Sequence, residues 1–153
     1  MVSVRVTKLR PSAKIPKYMS IGAAGCDITA CLDDAPIVIA PHQRVAVPTG
    51  IAVEIPEGFE IQVRPRSGYA LKKGLTVVNA PGTIDSDYRG ELMVLLINLS
   101  DDAVTVEPGD RIAQLVLQKV QRIEWVDADT LSETQRATGG FGSTGLKDTS
   151  TPL

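Results

Sequence analysis

The 153-residue chain has little cysteine: two residues, Cys26 and Cys31. Two thiols do not make a disulfide framework, and both stand in an otherwise apolar stretch, so they read as small, reduced, buried residues. The single histidine, His42, falls in a turn signal and reads as a solvated loop residue. With no His/Cys cluster, a zinc site is excluded, and no G-x-x-x-x-G-K-[ST] loop is present. Long apolar runs are also missing. The longest, residues 92–97, is far too short to span a bilayer, and residues 1–10 lack the apolar stretch of a signal peptide. The expectation is therefore no membrane and a cytoplasmic location. Neither sign of charge dominates, the net value being −2. That excludes broad attraction to nucleic acid, so any cations that bind phosphate must be clustered locally. Length and a 43% apolar content are those of one ordinary globular domain.

What is present reads as β structure. Val2, Val4 and Val6 alternate with Ser3, Arg5 and Thr7, the period of a half-buried strand. Residues 37–39 and 45–47 flank Pro41-His42, and residues 51–55 run through Pro56-Glu57-Gly58 into residues 59–63, a hairpin in outline. Further apolar segments occupy 92–99, 104–106 and 112–120, the last after the turn Glu107-Pro108-Gly109-Asp110. With 13 glycines and 10 prolines punctuating short runs, the pattern is that of a sandwich, jelly roll or barrel. One short helix is expected over residues 67–73, with Ser67 as cap and Gly74 as terminator. From about residue 127 large apolar residues become rare, and such a segment cannot offset its ordering entropy; it is expected to be a mobile, glycine-rich tail.

Polar residues concentrate in a few places. The densest is Asn79 to Glu91, where a Pro-Gly turn, two carboxylates, a tyrosine, an arginine and a glutamate crowd beside an apolar run. A strand that only builds core does not need them; a pocket with a water to activate does. Asp85 and Tyr88 have bland readings too, as a turn cap and a cross-strand aromatic, and Asp87 with Arg89 reads as an ordinary ion pair. Arg64-Pro65-Arg66-Ser67-Gly68 puts two guanidiniums and a hydroxyl at a helix start, a chemistry suited to phosphate. Gln114 lies inside an apolar strand and by itself reads as outward-facing. Asp27, in a small-residue loop, either caps a turn or holds a water of a hydrated Mg²⁺. In the tail, Arg136 to Gly145 combines charge, glycines, Phe141, Ser143 and Thr144. It reads as a lid that wraps a triphosphate while a ring stacks on a base, or as a plain glycine-rich tail.

Taken in order, these segments resemble the five motifs of the trimeric dUTPase family. They are Ala23 to Asp27, Pro65 to Ala70, Gly82 to Gly90, Gly109 to Gln114, and Arg136 to Gly145. Short motifs arise by chance; five in order over nearly the whole chain are specific. The departures are small: Ala137 replaces a usual glycine, and Tyr69 and Ile28 replace usual leucines.

The resemblance implies a jelly-roll-like distorted β-barrel of the β-clip type, with one short helix and a flexible C-terminal tail. Residues 1–126 would form the catalytic domain, and 127–153 an arm that completes a neighbouring subunit's active site in a homotrimer. It implies hydrolysis of dUTP to dUMP and pyrophosphate, which keeps uracil out of DNA and supplies dUMP for dTMP synthesis. Asp85 would be the general base. Tyr88 would pack on the deoxyribose, and Asn79 with the backbone of Gly82, Thr83 and Ile84 would bind uracil. Arg66, Ser67, Gly68 and Gln114 would contact phosphates. Arg136, Gly142, Ser143 and Thr144 would hold the γ-phosphate, with Phe141 over the base. Asp27 would touch Mg²⁺ through water. The alternatives are a dCTP deaminase, or bifunctional relative, on the same fold, and a non-catalytic nucleotide-sensing trimer.

Overall fold

The computed structural model describes residues 1–33 and 35–140. Contacts divide the chain into Met1–Gln121 and Arg122–Leu153.

Among the described residues, the first unit holds every strand and the one helix. The strands are β1 (Arg5–Lys8), β2 (Lys17–Tyr18), β3 (Cys26–Thr29), β4 (Ile37–Ile39), β5 (Arg44–Pro48) and β6 (Ile51–Glu54). Then come β7 (Phe59–Arg64), the helix α1 (Ser67–Lys73), β8 (Leu75–Val77), β9 (Gly82–Ile84), β10 (Met93–Asn98), β11 (Val104–Val106) and β12 (Arg111–Lys119). The described strands form four open antiparallel sheets, β1-β6, β5-β10-β8, β11-β4 and β2-β3-β12-β7-β9. The all-β expectation is met as short open sheets, not as a closed barrel.

Alternation explains most of this. In β10, Val94, Leu96 and Asn98 are buried while Met93 and Leu95 are exposed, the two faces of a pleated strand. Ile51, Val53, Ile61 and Val63 join the same buried cluster, and each such side chain contributes about 1.5–3 kcal/mol on burial. Asn98 is buried without loss. Its Nδ2 donates to the carbonyls of Ile39 and Asp102, and its Oδ1 accepts from the Ser100 backbone N–H and hydroxyl. No buried polar side-chain atom among the described residues lacks a partner, as a stable interior requires.

Two local expectations are corrected. Residues 51–55 and 59–63 do not pair as a hairpin: β6 pairs with β1, and β7 pairs with β12 and β9. The Pro-Glu-Gly turn reverses the chain, but each strand takes its partner from distant sequence. The helix spans Ser67–Lys73 and ends at Gly74 in the left-handed conformation (φ 62°), as expected. Its N-cap, however, is Arg66, whose extended backbone carries no side-chain cap hydrogen bond. Ser67 is the first helical residue, so its hydroxyl caps nothing. No helix among the described residues is long and apolar enough to cross a membrane.

Candidate active site

The Asn79–Glu91 segment builds one side of a cleft. β9 lies along β7, with Gly82 opposite Val63 and Ile84 opposite Ile61. The approach is close: a Cβ on Gly82 would lie 3.1 Å from Asn79 Nδ2 and 3.2 Å from Val63 Cβ. Beyond β9 the chain turns, with Tyr88 N–H donating to the Asp85 carbonyl at 3.2 Å. Asn79, Gly82, Thr83, Ile84, Asp85 and Tyr88 together line a cavity of about 250 Å³, whose apolar wall includes Val63, Leu92 and Leu95.

The loop is fastened behind the cleft. Tyr88 Oη donates to the Glu91 carbonyl at 3.0 Å. Glu91 Oε1 accepts the Gly50 N–H at 2.8 Å, and its Oε2 accepts from Arg10 Nη2 at 3.3 Å. Arg10 also reaches the Cys31 carbonyl. Nothing local in sequence marks Arg10 and Gly50 as partners of Glu91. The expected Asp87–Arg89 ion pair is absent among the described residues. Arg89 Nη1 donates instead to the carbonyls of Ser86 and Tyr88, which are nearer and closed by the turn itself.

A second cluster surrounds Asp27, which is 6% exposed. Its Oδ1 accepts from Gln114 Nε2 at 2.9 Å, and its Oδ2 accepts from Arg111 Nη1 at 3.0 Å. Arg66 Nε lies 3.5 Å from the same Oδ2, and Arg66 Nη1 donates to the Arg111 carbonyl at 2.7 Å. A β-bulge makes this possible. Gln114 pairs with Asp27 and Arg111 with Thr29, but the register shifts between Arg111 and Ala113. Three residues apart, Arg111 and Gln114 would face opposite sides of a regular strand. The extra residue, Ile112, puts both on the face of Asp27 and Thr29. Gln114, outward-facing when read alone, is half-buried against a carboxylate.

Tyr69 joins the second motif to the fourth, its Oη donating to Asp110 Oδ2 at 2.9 Å. Burial and then this hydrogen bond push its pKa up to about 12, so the phenol keeps its proton through the neutral range. Sequence reading gave no role to Tyr69 or Arg111.

The two clusters offer unlike carboxylates. Asp27 is held by two guanidiniums and an amide. Asp85 is exposed, and among the described residues its side chain has no hydrogen-bond or ion-pair partner. A carboxylate left open at a cleft is free to orient and activate a water; one held by two cations and an amide keeps at most one lone-pair position for one.

As for a metal, the described residues contain no group of three His, Cys, Asp or Glu that would hold one directly. Asp27 has about four lone-pair positions, of which the three donors above take most, leaving room for one water. The residues therefore fit an outer-sphere contact to a hydrated Mg²⁺ that is bound chiefly by other oxygens, and not a protein-built cage.

In Arg122–Gly140, Arg136 Nε donates to the Gly139 carbonyl at 2.8 Å. Ala137 has a positive φ of 44°, a conformation that favours glycine. The departure at this position thus carries a conformational cost. Phe141, Gly142, Ser143 and Thr144 lie outside the described residues.

Fold and clusters define a jelly-roll β chain that presents a cleft with an open carboxylate and, separately, a guanidinium-rich carboxylate cradle. Residues 11–145 match the dUTPase family profile. The chain is 60% identical over 142 residues to the deoxyuridine 5'-triphosphate nucleotidohydrolase of Hydrogenobaculum sp., covering 93% of this chain and 97% of that one. Against the enzyme of the same name from Treponema denticola it is 53% identical over 140 residues, covering 92% and 96%. Among solved structures, a Staphylococcus bacteriophage 80alpha dUTPase with dUpNHpp superposes with a TM-score of 0.82 at 27% identity, covering 94% of this chain and 99% of that one. The chain belongs to the dUTPase family, a family of hydrolases.

Proposed function

We propose that this chain hydrolyses dUTP to dUMP and pyrophosphate. The observation that carries the reading is the open Asp85 carboxylate in the Asn79–Tyr88 cleft, and the named activity of the relatives supports it. Asp85 takes a proton from a water as the water oxygen attacks the α-phosphorus in line; pyrophosphate leaves with the bond electrons. Positioning and charge neutralisation carry most of such a transfer. Asn79 and the backbone of Gly82, Thr83 and Ile84 bond the uracil edge, and the confined β9 turn rejects the thymine methyl and the cytosine donor pattern. Tyr88 packs on deoxyribose and leaves no room for a 2′-hydroxyl.

Arg66, Ser67, Gly68 and Gln114 contact the phosphates. Arg66 and Gln114 are not among the residues lining the Asp85 cleft; in the proposed homotrimer each site combines the third motif of one subunit with the second and fourth of another. The arm, residues 127–153, completes a neighbour's site. There Arg136, Gly142, Ser143 and Thr144 hold the γ-phosphate and Phe141 covers the base. Asp27 would hold a hydrated Mg²⁺ through one of its waters, and the ion would supply charge neutralisation for the triphosphate. The reaction keeps uracil out of DNA and supplies dUMP for dTMP synthesis, in the cytoplasm.

The test is pyrophosphate release with Mg²⁺ from dUTP, dCTP, dTTP and UTP, with ammonia followed in parallel. Pyrophosphate from dUTP alone is the expected result. Ammonia from dCTP would move the assignment to a deaminase, and binding of dUTP without turnover would leave a nucleotide sensor.

Sugar selection has its own handle at Gly90. A Cβ there would sit 2.6 Å from Tyr88 Cζ, so Gly90→Ala pushes the ring off its bond to Glu91. Because Tyr88 is exposed, its ring can be displaced without opening the core, and the expected loss is in selectivity. The dUTP-over-UTP ratio of kcat/KM should fall about tenfold, the scale of a misfitted apolar contact, with the melting temperature nearly unchanged.

A further inference from the structure

Arg66 is held at several points, and one of them comes from its own helix. On the strand side, its Nη1 donates to the Arg111 carbonyl and its Nε lies 3.5 Å from Asp27 Oδ2. On the helix side, its Cζ lies 5.7 Å from the centroid of the Tyr69 ring. That ring is itself fixed. Its hydroxyl donates to Asp110 Oδ2 at 2.9 Å, and the same Asp110 oxygen accepts the Glu107 N–H at 3.0 Å. The phenol therefore braces α1 against the turn that leads into β12. Lys73 Nζ lies 5.4 Å from the same centroid, so the ring gathers two cations from one helix.

An arginine has many rotamers, and a donor that must find a phosphate gains when few of them remain. A ring beneath the guanidinium restricts it without consuming a donor, whereas a carbonyl or carboxylate takes one away. Backbone bonding and the Asp27 contact engage Nη1 and Nε, and among the described residues Nη2 has no partner, which leaves it for a ligand. We infer that Tyr69 is a positioning residue for triphosphate binding: it presents Arg66 with one face covered and Nη2 unengaged. The inference rests on the proposed function only for the identity of the ligand.

The experiment is calorimetric titration of the full chain with dUpNHpp and Mg²⁺, alongside dUTP kinetics, for wild type, Tyr69→Leu, Tyr69→Phe, Arg66→Ala and the Arg66→Ala/Tyr69→Leu double variant. Tyr69→Leu should weaken binding and raise KM by about 3- to 10-fold, the scale of one cation–π contact at a partly exposed site, with kcat within about twofold. Tyr69→Phe, which keeps the ring and loses the Asp110 bond, should recover most of the affinity. On the Arg66→Ala background, Tyr69→Leu should add nothing, because its effect runs through Arg66. Unchanged affinity in Tyr69→Leu overturns the inference. So does an equal loss in both Tyr69 variants accompanied by a fall in melting temperature, since that describes a structural brace alone. A wild-type chain that binds the analogue without hydrolysing dUTP removes the proposed reaction and leaves this inference standing; one that binds no analogue removes both.

Discussion

An Asp85→Asn protein is expected to bind dUpNHpp about as tightly as the wild type and to turn dUTP over roughly 10²- to 10⁴-fold more slowly. The rate change corresponds to about 3 to 5 kcal/mol of lost transition-state stabilisation. Asparagine keeps the size and one oxygen but cannot accept the water's proton, so the loss belongs to kcat. The structure separates this from a folding effect. Asp85 is exposed and, among the described residues, its side chain supports nothing else, so removing its charge leaves no orphaned partner. The same substitution at Asp27 would remove the charge that faces Arg66 and Arg111 and leave one oxygen for the three donors Arg66, Arg111 and Gln114, and its outcome would mix binding with local structure. Single-turnover rates and calorimetry on the Asp85 variant decide the matter. Near-normal turnover removes Asp85 as the base.

A chain ending at Gln135 is expected to keep its fold and the proposed trimeric state and to lose about 10²-fold or more in kcat/KM, the scale set by closure and positioning over a substrate. Folding should survive because the buried apolar cluster draws its members from residues 13 to 115. In Arg122–Gly140 even the large apolar side chains Ile123, Trp125, Val126 and Leu131 are exposed. The activity loss follows from the proposal that Arg136, Ser143 and Thr144 supply phosphate donors in trans. Size-exclusion mass and thermal melting report the first half, and steady-state kinetics the second. Full activity in the truncated protein would mean that the arm does no chemistry.

Much of the fold is legible in residue order. The alternation in residues 92–98 and the apolar runs at 104–106 and 112–119 give strands because period two is a local property. Gly74 stops α1 because glycine alone takes the left-handed turn without cost. Partner choice is less legible. The Pro-Glu-Gly turn after Ile55 looks like a hairpin, yet β6 and β7 join different sheets, since pairing is decided by which buried faces meet across the molecule. The Asp87–Arg89 pair fails for a similar reason: neighbouring carbonyls of the turn reach the guanidinium first. Of the site, the Asn79–Tyr88 cleft is legible because one continuous segment builds it. The Glu91–Arg10–Gly50 fastening and the Tyr69–Asp110 brace are not, because each joins residues about 40 to 80 positions apart with no periodicity to announce them.

The bulge in β12 makes the Asp27 cradle depend on how many residues precede Gln114 as well as on which ones they are. Loss of Ile112 would restore a regular ladder and turn either Arg111 or Gln114 to the opposite face, although every charged and polar group remained in the sequence. The side chain at position 112 can therefore change within the limits of a buried site, while a one-residue change in length there would dismantle the cradle. Such a lesion is invisible to any scan that only substitutes.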